Sequence, residues 1–414
     1  LHLLSRRQRQ MCIRDSVDTL LDEVYPWEGG YEPISIIDPS CGSGIFLVEV
    51  YRRIVCRWMH TKGVSQITNE QLTAILKECI YGVDLNEEAV RVASFSLSLA
   101  LCDFLDPRSI WNELSFPKLV NENLIVSDFF DNDLDSRLTK YDIVIGNPPW
   151  QSQLTNKANN YLKENKYIVG DKQIAQAFPI KCASICKETG VVCLLMPSKG
   201  LLFNRSPKSR AYRRRFFDEN TVSVIINFSI YRKVLFDNAT APCTAIIYYP
   251  KKIDGNNTTI FYCTPKPQYS LQDTKKFSID PTDICRIPSD LVCDDRIWKI
   301  AMWGSPRDLG LIDRLQSTYP SLDQFLLNHN MKSAEGFKRG NRKLIYDGFA
   351  NLPIVDAKDF YPFYIQEEML LSNEDNTYER ISNNNLAIFK APHLIMKQSH
   401  RKGRFFASVL DYDA

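Results

Sequence analysis

Four times between residues 35 and 150, a short apolar run stops on an Asp or an Asn where a loop must begin. Ser35-Ile36-Ile37-Asp38 runs into Pro39-Ser40-Cys41-Gly42-Ser43-Gly44, and Cys79-Ile80-Tyr81-Gly82-Val83 ends at Asp84. The run from Asn123 to Ser127 ends at Asp128, and Tyr141-Asp142-Ile143-Val144-Ile145-Gly146 stops at Asn147-Pro148-Pro149-Trp150. Helical patterns fill the intervals: 45–59 with Phe46, Val50 and Ile54 on one face, then 69–78 and 87–105. A further amphipathic stretch at 17–24 ends before Pro26 and Gly29-Gly30. Apolar runs of this kind suit strands buried on both faces, which occur in parallel sheets with helices on either side. Runs at 191–196, 222–228 and 244–249 bring the expected strands to seven. The fold class is α/β, a doubly wound seven-stranded sheet.

After Tyr249 the texture changes. Lys251-Lys252 and Asp254-Gly255-Asn256-Asn257 read as a linker, with Pro and aromatic residues thickening from Phe261. The expected organisation is a sheet domain over 17–250, a connecting segment over 251–320 and a mixed α+β region over 321–414. Residues 5–16 (SRRQRQMCIRDS) resemble translated sequencing adapter, the alternative being a basic arm, so 1–16 is set aside as non-native. With Leu1 first and 409–414 stopping mid-strand, native sequence is expected to be missing at both ends.

Composition narrows the classes. Fifty-one Lys plus Arg against 49 Asp plus Glu leave a formal net charge of +2, so any nucleic-acid surface must be a local patch. Twelve Cys without a CxxC pair argue against a disulfide scaffold or zinc module and for reduced thiols in the cytoplasm. No metal site is expected. No run approaches the ~18 apolar residues of a membrane span.

In open α/β sheets, ligands bind beyond the carboxyl ends of the strands. The loop from Asp38 to Gly44 is neither GxGxxG nor a phosphate-binding GxxxxGK[ST] loop. Its two glycines allow close backbone approach, and Asp38 offers a carboxylate to an ammonium or hydroxyl. Asp84 suits a ribose diol. Asp128 could accept from an adenine amine while an aromatic of Phe129-Phe130 covers the ring. Each Asp alone also reads as a helix cap or turn residue; three in succession at strand ends favour the ligand. At Asn147-Pro148-Pro149-Trp150 two prolines end the strand and stiffen the turn. The Asn147 carboxamide oxygen and the Pro148 carbonyl can accept both hydrogens of one exocyclic amine, and Trp150 offers a face for an extruded base. A purely structural turn is the competing reading.

DPSCGSG (38–44), GVDL (82–85), SDFF (127–130) and NPPW (147–150), in that order, resemble the N6-adenine DNA methyltransferases. More narrowly, the chain resembles the modification part of restriction–modification methylases, including those fused to a nuclease. The resemblance implies a Rossmann-like class I methyltransferase domain that takes S-adenosylmethionine, followed by part of a target-recognition domain. Asp38, Gly42 and Gly44 would hold the methionine part of the cofactor, Asp84 its ribose, and Asp128 with Phe129 its adenine; Pro39 and Cys41 of the same loop would also be cofactor-binding. Asn147, Pro148, Pro149 and Trp150 would form the catalytic corner for the target adenine. Ala177-Phe178 matches a pocket-wall helix, and Phe236 the position packing on the base's other side. Two departures stand out. Asp38 and Asp84 are 46 residues apart, implying an inserted helix at 60–78, and the aromatic-Thr-Pro segment usual before the first strand is absent.

The implied partner is double-stranded DNA, with a nuclease domain in a missing N-terminal part or in a separate restriction subunit. Three basic clusters could serve the DNA: Arg210, Arg213, Arg214 and Arg215; Lys338, Arg339, Arg342 and Lys343; and His400, Arg401, Lys402 and Arg404. Arg339, Arg342, Lys343, Arg401 and Lys402 are the candidates retained. Alternatives are an RNA or protein-glutamine methyltransferase of the same fold, a cytosine-amine enzyme, and a non-catalytic DNA-specificity module.

Overall fold

In the computed structural model of the chain, the described residues are 17–150, 153–170, 173–231, 242–251, 259–266 and 279–337, with short stretches at 344–345, 352–355, 360–361, 363–365, 371–372, 377–378, 386–397 and 406–413. Helix α1 (17–24) precedes β1 (Ile36–Asp38), α2 (Ile45–Lys62), α3 (Asn69–Cys79), β2 (Ile80–Asp84) and α4 (Glu87–Cys102). Then come α5 (Pro107–Glu113), β3 (Leu124–Val126), α6 (Asn132–Asp135), β4 (Tyr141–Gly146), α7 (Asn156–Glu164) and α8 (Phe178–Ile185). Strand β5 (Cys186–Pro197), helix α9 (Pro207–Glu219), β6 (Thr221–Asn227), β7 (Cys243–Tyr249), β8 (Thr259–Cys263) and β9 (Ile284–Pro288) complete the sheet.

The strand order is β3-β2-β1-β4-β5-β7-β6-β8-β9. Strands β1 to β5 run parallel, and β7 lies antiparallel between β5 and β6. All seven expected strands form. Two more join: β8 pairs parallel with β6, and β9 antiparallel with β8. The first compact unit therefore extends to Leu309 and does not stop at 250. The segment expected to connect two domains instead carries β8, which alternates exposed and buried residues, and the edge strand β9, which buries only Ile287 fully and ends on Pro288.

Alternate residues of the central strands feed two core layers. Ile36, Ile143 and Ile145 pack with Val50, Tyr51 and Ile54 of α2, whereas Ile37 and Val144 pack with Phe178 of α8 and Phe216 of α9. The inserted helix is α3, begun by a capping box of Thr68 and Gln71. Helix α1 is tied to α2 through the fully buried Arg53, whose Nη1 donates to Asp22 Oδ1 at 2.7 Å and to the Tyr25 carbonyl at 3.1 Å.

The second unit starts at Gly310, ahead of the expected 321. It holds the helix Leu322–Asn328 and short antiparallel pairs, among them Phe360–Tyr361 with Tyr364–Ile365 and His393–Met396 with Ala407–Leu410. Ile365 and Leu410 form its small buried cluster with Ile395 and Phe406. Among the described residues, no helix is long and apolar enough to cross a membrane.

Candidate active site

Strand register brings the sequence-predicted loops to one edge. Asp38 lies beside Gly82, Asp84 beside Val126, and Ile37 beside Val144, so the carboxyl ends of β1, β2, β3 and β4 are neighbours. Asp38 is 1% exposed and accepts from the Ser40 N–H at 2.9 Å. Burial pushes its carboxyl up to about 8; the Ser40 N–H opposes this, and the Asp84 charge adds to it.

The chain then turns through Gly42 and Gly44, at φ +52° and +83°, a region that side chains disfavour. A Cβ on Gly42 would face open space, whereas one on Gly44 would press on Ala93 of α4 at 3.1 Å. Asp84 secures this turn, accepting from the Gly42 N–H at 2.9 Å and from the Asn86 N–H at 2.9 Å. Asp128 accepts from the Phe130 N–H at 2.9 Å. The buried Phe129 stacks on Phe178, centroids 5.2 Å apart at 19°. Asp84 thus ties its own loop to the one after β1, Asp128 holds its own loop, and each bonded oxygen keeps a second lone pair for a ligand.

The proline corner starts at Gly146. A Cβ there would sit 2.5 Å from Asp38 Oδ1, so β4 approaches the end of β1 only because this residue lacks a side chain. That contact sets Asn147 directly after a residue touching Asp38. Asn147 and Pro149 are exposed and Pro148 is buried. The Asn147 oxygen is engaged, accepting from Trp150 Nε1–H at 2.8 Å, while the same N–H lies 3.4 Å from the Leu195 carbonyl of β5. A bridge between Gln153 and Gln173 ties the continuation of this corner to the turn that leads into α8.

Asp38, Pro39, Cys41, Gly42, Gly44, Asp84, Asp128, Phe129 and Asn147 to Trp150 therefore all lie at strand ends or on the loops that follow them, at the carboxyl edge. Phe236, Arg339, Arg342, Lys343, Arg401 and Lys402 lie outside the described residues. The first basic cluster is largely structural rather than a DNA patch. Arg213 is fully buried, donating to the carbonyls of Leu201 and Asn204 and to Asp295 Oδ1. Arg210 pairs with Asp295, and Arg215 with Glu219 while its guanidinium covers Tyr167 at 3.7 Å. Sequence reasoning passed over Gly146, although a glycine closing a strand before Asn-Pro-Pro is itself a sign of close backbone approach.

Residues 78–235 match the Eco57I restriction-modification methylase family. The matched stretch starts at the end of α3, takes in β2 and the proline corner, and runs past β6. The type II restriction enzyme and methyltransferase RM.Eco57I of Escherichia coli is 22% identical over 399 residues, 85% of this chain and 38% of that protein. The type II methyltransferase M.BstVI of Geobacillus stearothermophilus is 24% identical over 272 residues, 63% of this chain and 45% of that protein. The chain thus spans less than half the length of these curated relatives. Among solved structures, the M protein of the type I restriction enzyme EcoKI superposes with a TM-score of 0.45 at 12% identity, covering 78% of this chain and 76% of that one.

The strand order, with β7 antiparallel between β5 and β6, is a doubly wound α/β sheet as the sequence led us to expect. The residues present fit the S-adenosylmethionine that the sequence resemblance implies. Gly42 opens onto free space where a substituent would be accommodated, and Asp38 is a buried carboxylate whose charge an α-ammonium would stabilise.

Proposed function

We propose that this chain is the modification part of a restriction–modification enzyme, methylating the N6 amine of adenine in double-stranded DNA. The observation that carries the reading is the Gly146 contact with Asp38, which joins an acceptor-bearing proline corner to a glycine loop suited to the methyl donor.

S-adenosylmethionine supplies an electrophilic methyl group. The chain supplies position and polarity. Asp38 gives up its proton to hold the cofactor's ammonium, Asp84 accepts from the ribose, and Asp128 accepts from the cofactor's adenine amine beside Phe129. The target base leaves the duplex at a cost of a few kcal/mol, offset by stacking on Trp150 worth about 1–3 kcal/mol. Trp150 Nε1–H must give up part of its hold on Asn147, since the carboxamide oxygen then accepts from the amine. With the Pro148 carbonyl holding the second hydrogen, the nitrogen lone pair turns toward the methyl. As the N–C bond forms, the methyl–sulfur bond of the donor would break with its electron pair left on sulfur, and the positive nitrogen would pass one proton along these acceptors to solvent.

On the DNA side, the reading assigns Arg339, Arg342, Lys343, Arg401 and Lys402 to phosphate and groove contacts, Phe236 to the second face of the target base, and a nuclease domain or restriction subunit to the remainder of a longer assembly. All eleven described cysteines are free, which supports a cytoplasmic setting. The decisive variant is Asn147→Ala. Methyl transfer to duplex DNA should fall by about 10²–10³-fold, with S-adenosylmethionine affinity held within about twofold of wild type by calorimetry. Retained turnover would remove the corner from the chemistry.

A further inference from the structure

Lys181 is 1% exposed and has no part in the chemistry above. It sits one turn after Phe178 on α8, so both side chains lie on one helix face. Its ammonium is 5.3 Å from the ring centroid of Phe129, 5.8 Å from that of Phe130 and 5.2 Å from that of Tyr161 on α7. Asp135 Oδ1, on the half-exposed side of α6, lies 2.6 Å from the same nitrogen. The carboxylate is in ion-pair contact outside hydrogen-bond geometry, so the ring faces complete the cation's surroundings.

Burying an ammonium is costly, and a methionine of similar length would fill the space without that cost. The charge binds together what an apolar chain would only touch. Phe129 and Phe130 belong to the turn after β3, whose Asp128 carboxylate is fixed by the Phe130 N–H. Asp135 follows on α6, and Tyr161 donates to Ser184 Oγ, which in turn donates to the Lys181 carbonyl at 2.7 Å. One cation therefore clamps the Asp128–Phe130 turn to α6, α7 and α8. Phe129 lies over both Phe178 and Lys181, so the clamp governs its ring plane.

We propose that Lys181 is a positioning residue for the adenine half of the cofactor, holding the Phe129 face and the Asp128 carboxylate in their ligand-binding arrangement. This rests on the methyltransferase reading of the site. It acts through that turn and does not touch the ligand.

The test is calorimetry on the full chain with S-adenosylmethionine and, separately, with duplex DNA, for wild type, Lys181→Met and Asp135→Asn. Lys181→Met should weaken S-adenosylmethionine on the order of tenfold, leave DNA affinity unchanged and keep a cooperative thermal transition. Asp135→Asn, which removes only the half-exposed anion, should weaken the cofactor by a smaller factor in the same direction. A folded Lys181→Met that binds the cofactor as wild type overturns the proposal, and so does one that weakens DNA and cofactor equally. If Lys181→Met does not fold, Asp135→Asn decides alone: wild-type cofactor affinity overturns the proposal. A wild-type chain that binds no S-adenosylmethionine sinks the methyltransferase reading, whereas one that binds it while both variants bind equally well sinks this proposal only.

Discussion

The two units of the chain solve different problems with different material. The first buries both faces of a nine-stranded sheet, and its loops converge on one edge because parallel strands end there together. The second pairs strands of two to four residues around a cluster centred on Ile365 and Leu410, and leaves Phe363 and Val409 largely exposed. Isolated two-stranded pairs are marginal in water. The contrast teaches where precision comes from. On the proposed function, a methyl transfer that fails when atoms are misplaced by about 1 Å would be hung on the rigid sheet, and a surface that tracks a DNA groove would be assembled from short pieces.

Matched glycine substitutions probe this contrast most strongly. Gly146→Ala drives a Cβ into the Asp38 carboxylate, so it should cost about 1–3 kcal/mol of stability and weaken cofactor binding. Gly336→Ala in the second unit meets nothing within 4 Å and should stay within about 0.5 kcal/mol of wild type. Denaturant titration of both variants reads the difference, and equal costs would erase the distinction between the units. Next in size is the triple variant Arg339→Ala, Arg342→Ala, Lys343→Ala. Duplex affinity should drop and the salt slope should flatten by about one unit per lost phosphate contact, with cofactor affinity untouched; an unchanged slope takes these residues off the DNA.

A third probe is pH. Asp38 is raised to about 8 in the folded chain from an ordinary value near 4. The unfolded chain therefore loses this proton first as pH rises. Stability from this group is complete below about pH 4 and is lost progressively up to about pH 8. Cofactor binding at pH 7 should release a proton, seen as a buffer-dependent heat. Asp38→Asn should abolish both effects, and a wild type showing neither means that Asp38 is already ionised. The smallest effect is expected from Trp150→Phe. It keeps an aromatic face but removes the N–H on Asn147, so KM for DNA should move by less than about fivefold. Trp150→Ala, losing stacking of about 1–3 kcal/mol, should raise it by roughly five- to 150-fold.

Strands buried on both faces were legible because their sequences are nearly continuous apolar runs, as in Ile143-Val144-Ile145. The loops were legible because each ends such a run with a carboxylate or carboxamide. The last two strands were not: Thr259–Cys263 alternates although it is paired on both sides, and the edge strand Ile284–Pro288 buries little beyond Ile287. Contacts between distant segments were equally hidden. Nothing local to Gly146 says that Asp38 will lie against it, and nothing local to Lys181 says that three aromatic rings will enclose it. Arg213 read as one member of an exposed charge run, yet α9 turns it inward onto Asp295, 82 residues away. Periodicity reports which side is buried, and only the fold supplies the partner.

The most direct test is the product. Duplex DNA incubated with the chain and methyl-labelled S-adenosylmethionine, then digested to nucleosides, should carry the label as N6-methyladenine alone. Label on the cytosine amine, or in RNA or protein with none in adenine, would contradict a corner built to hold a purine amine.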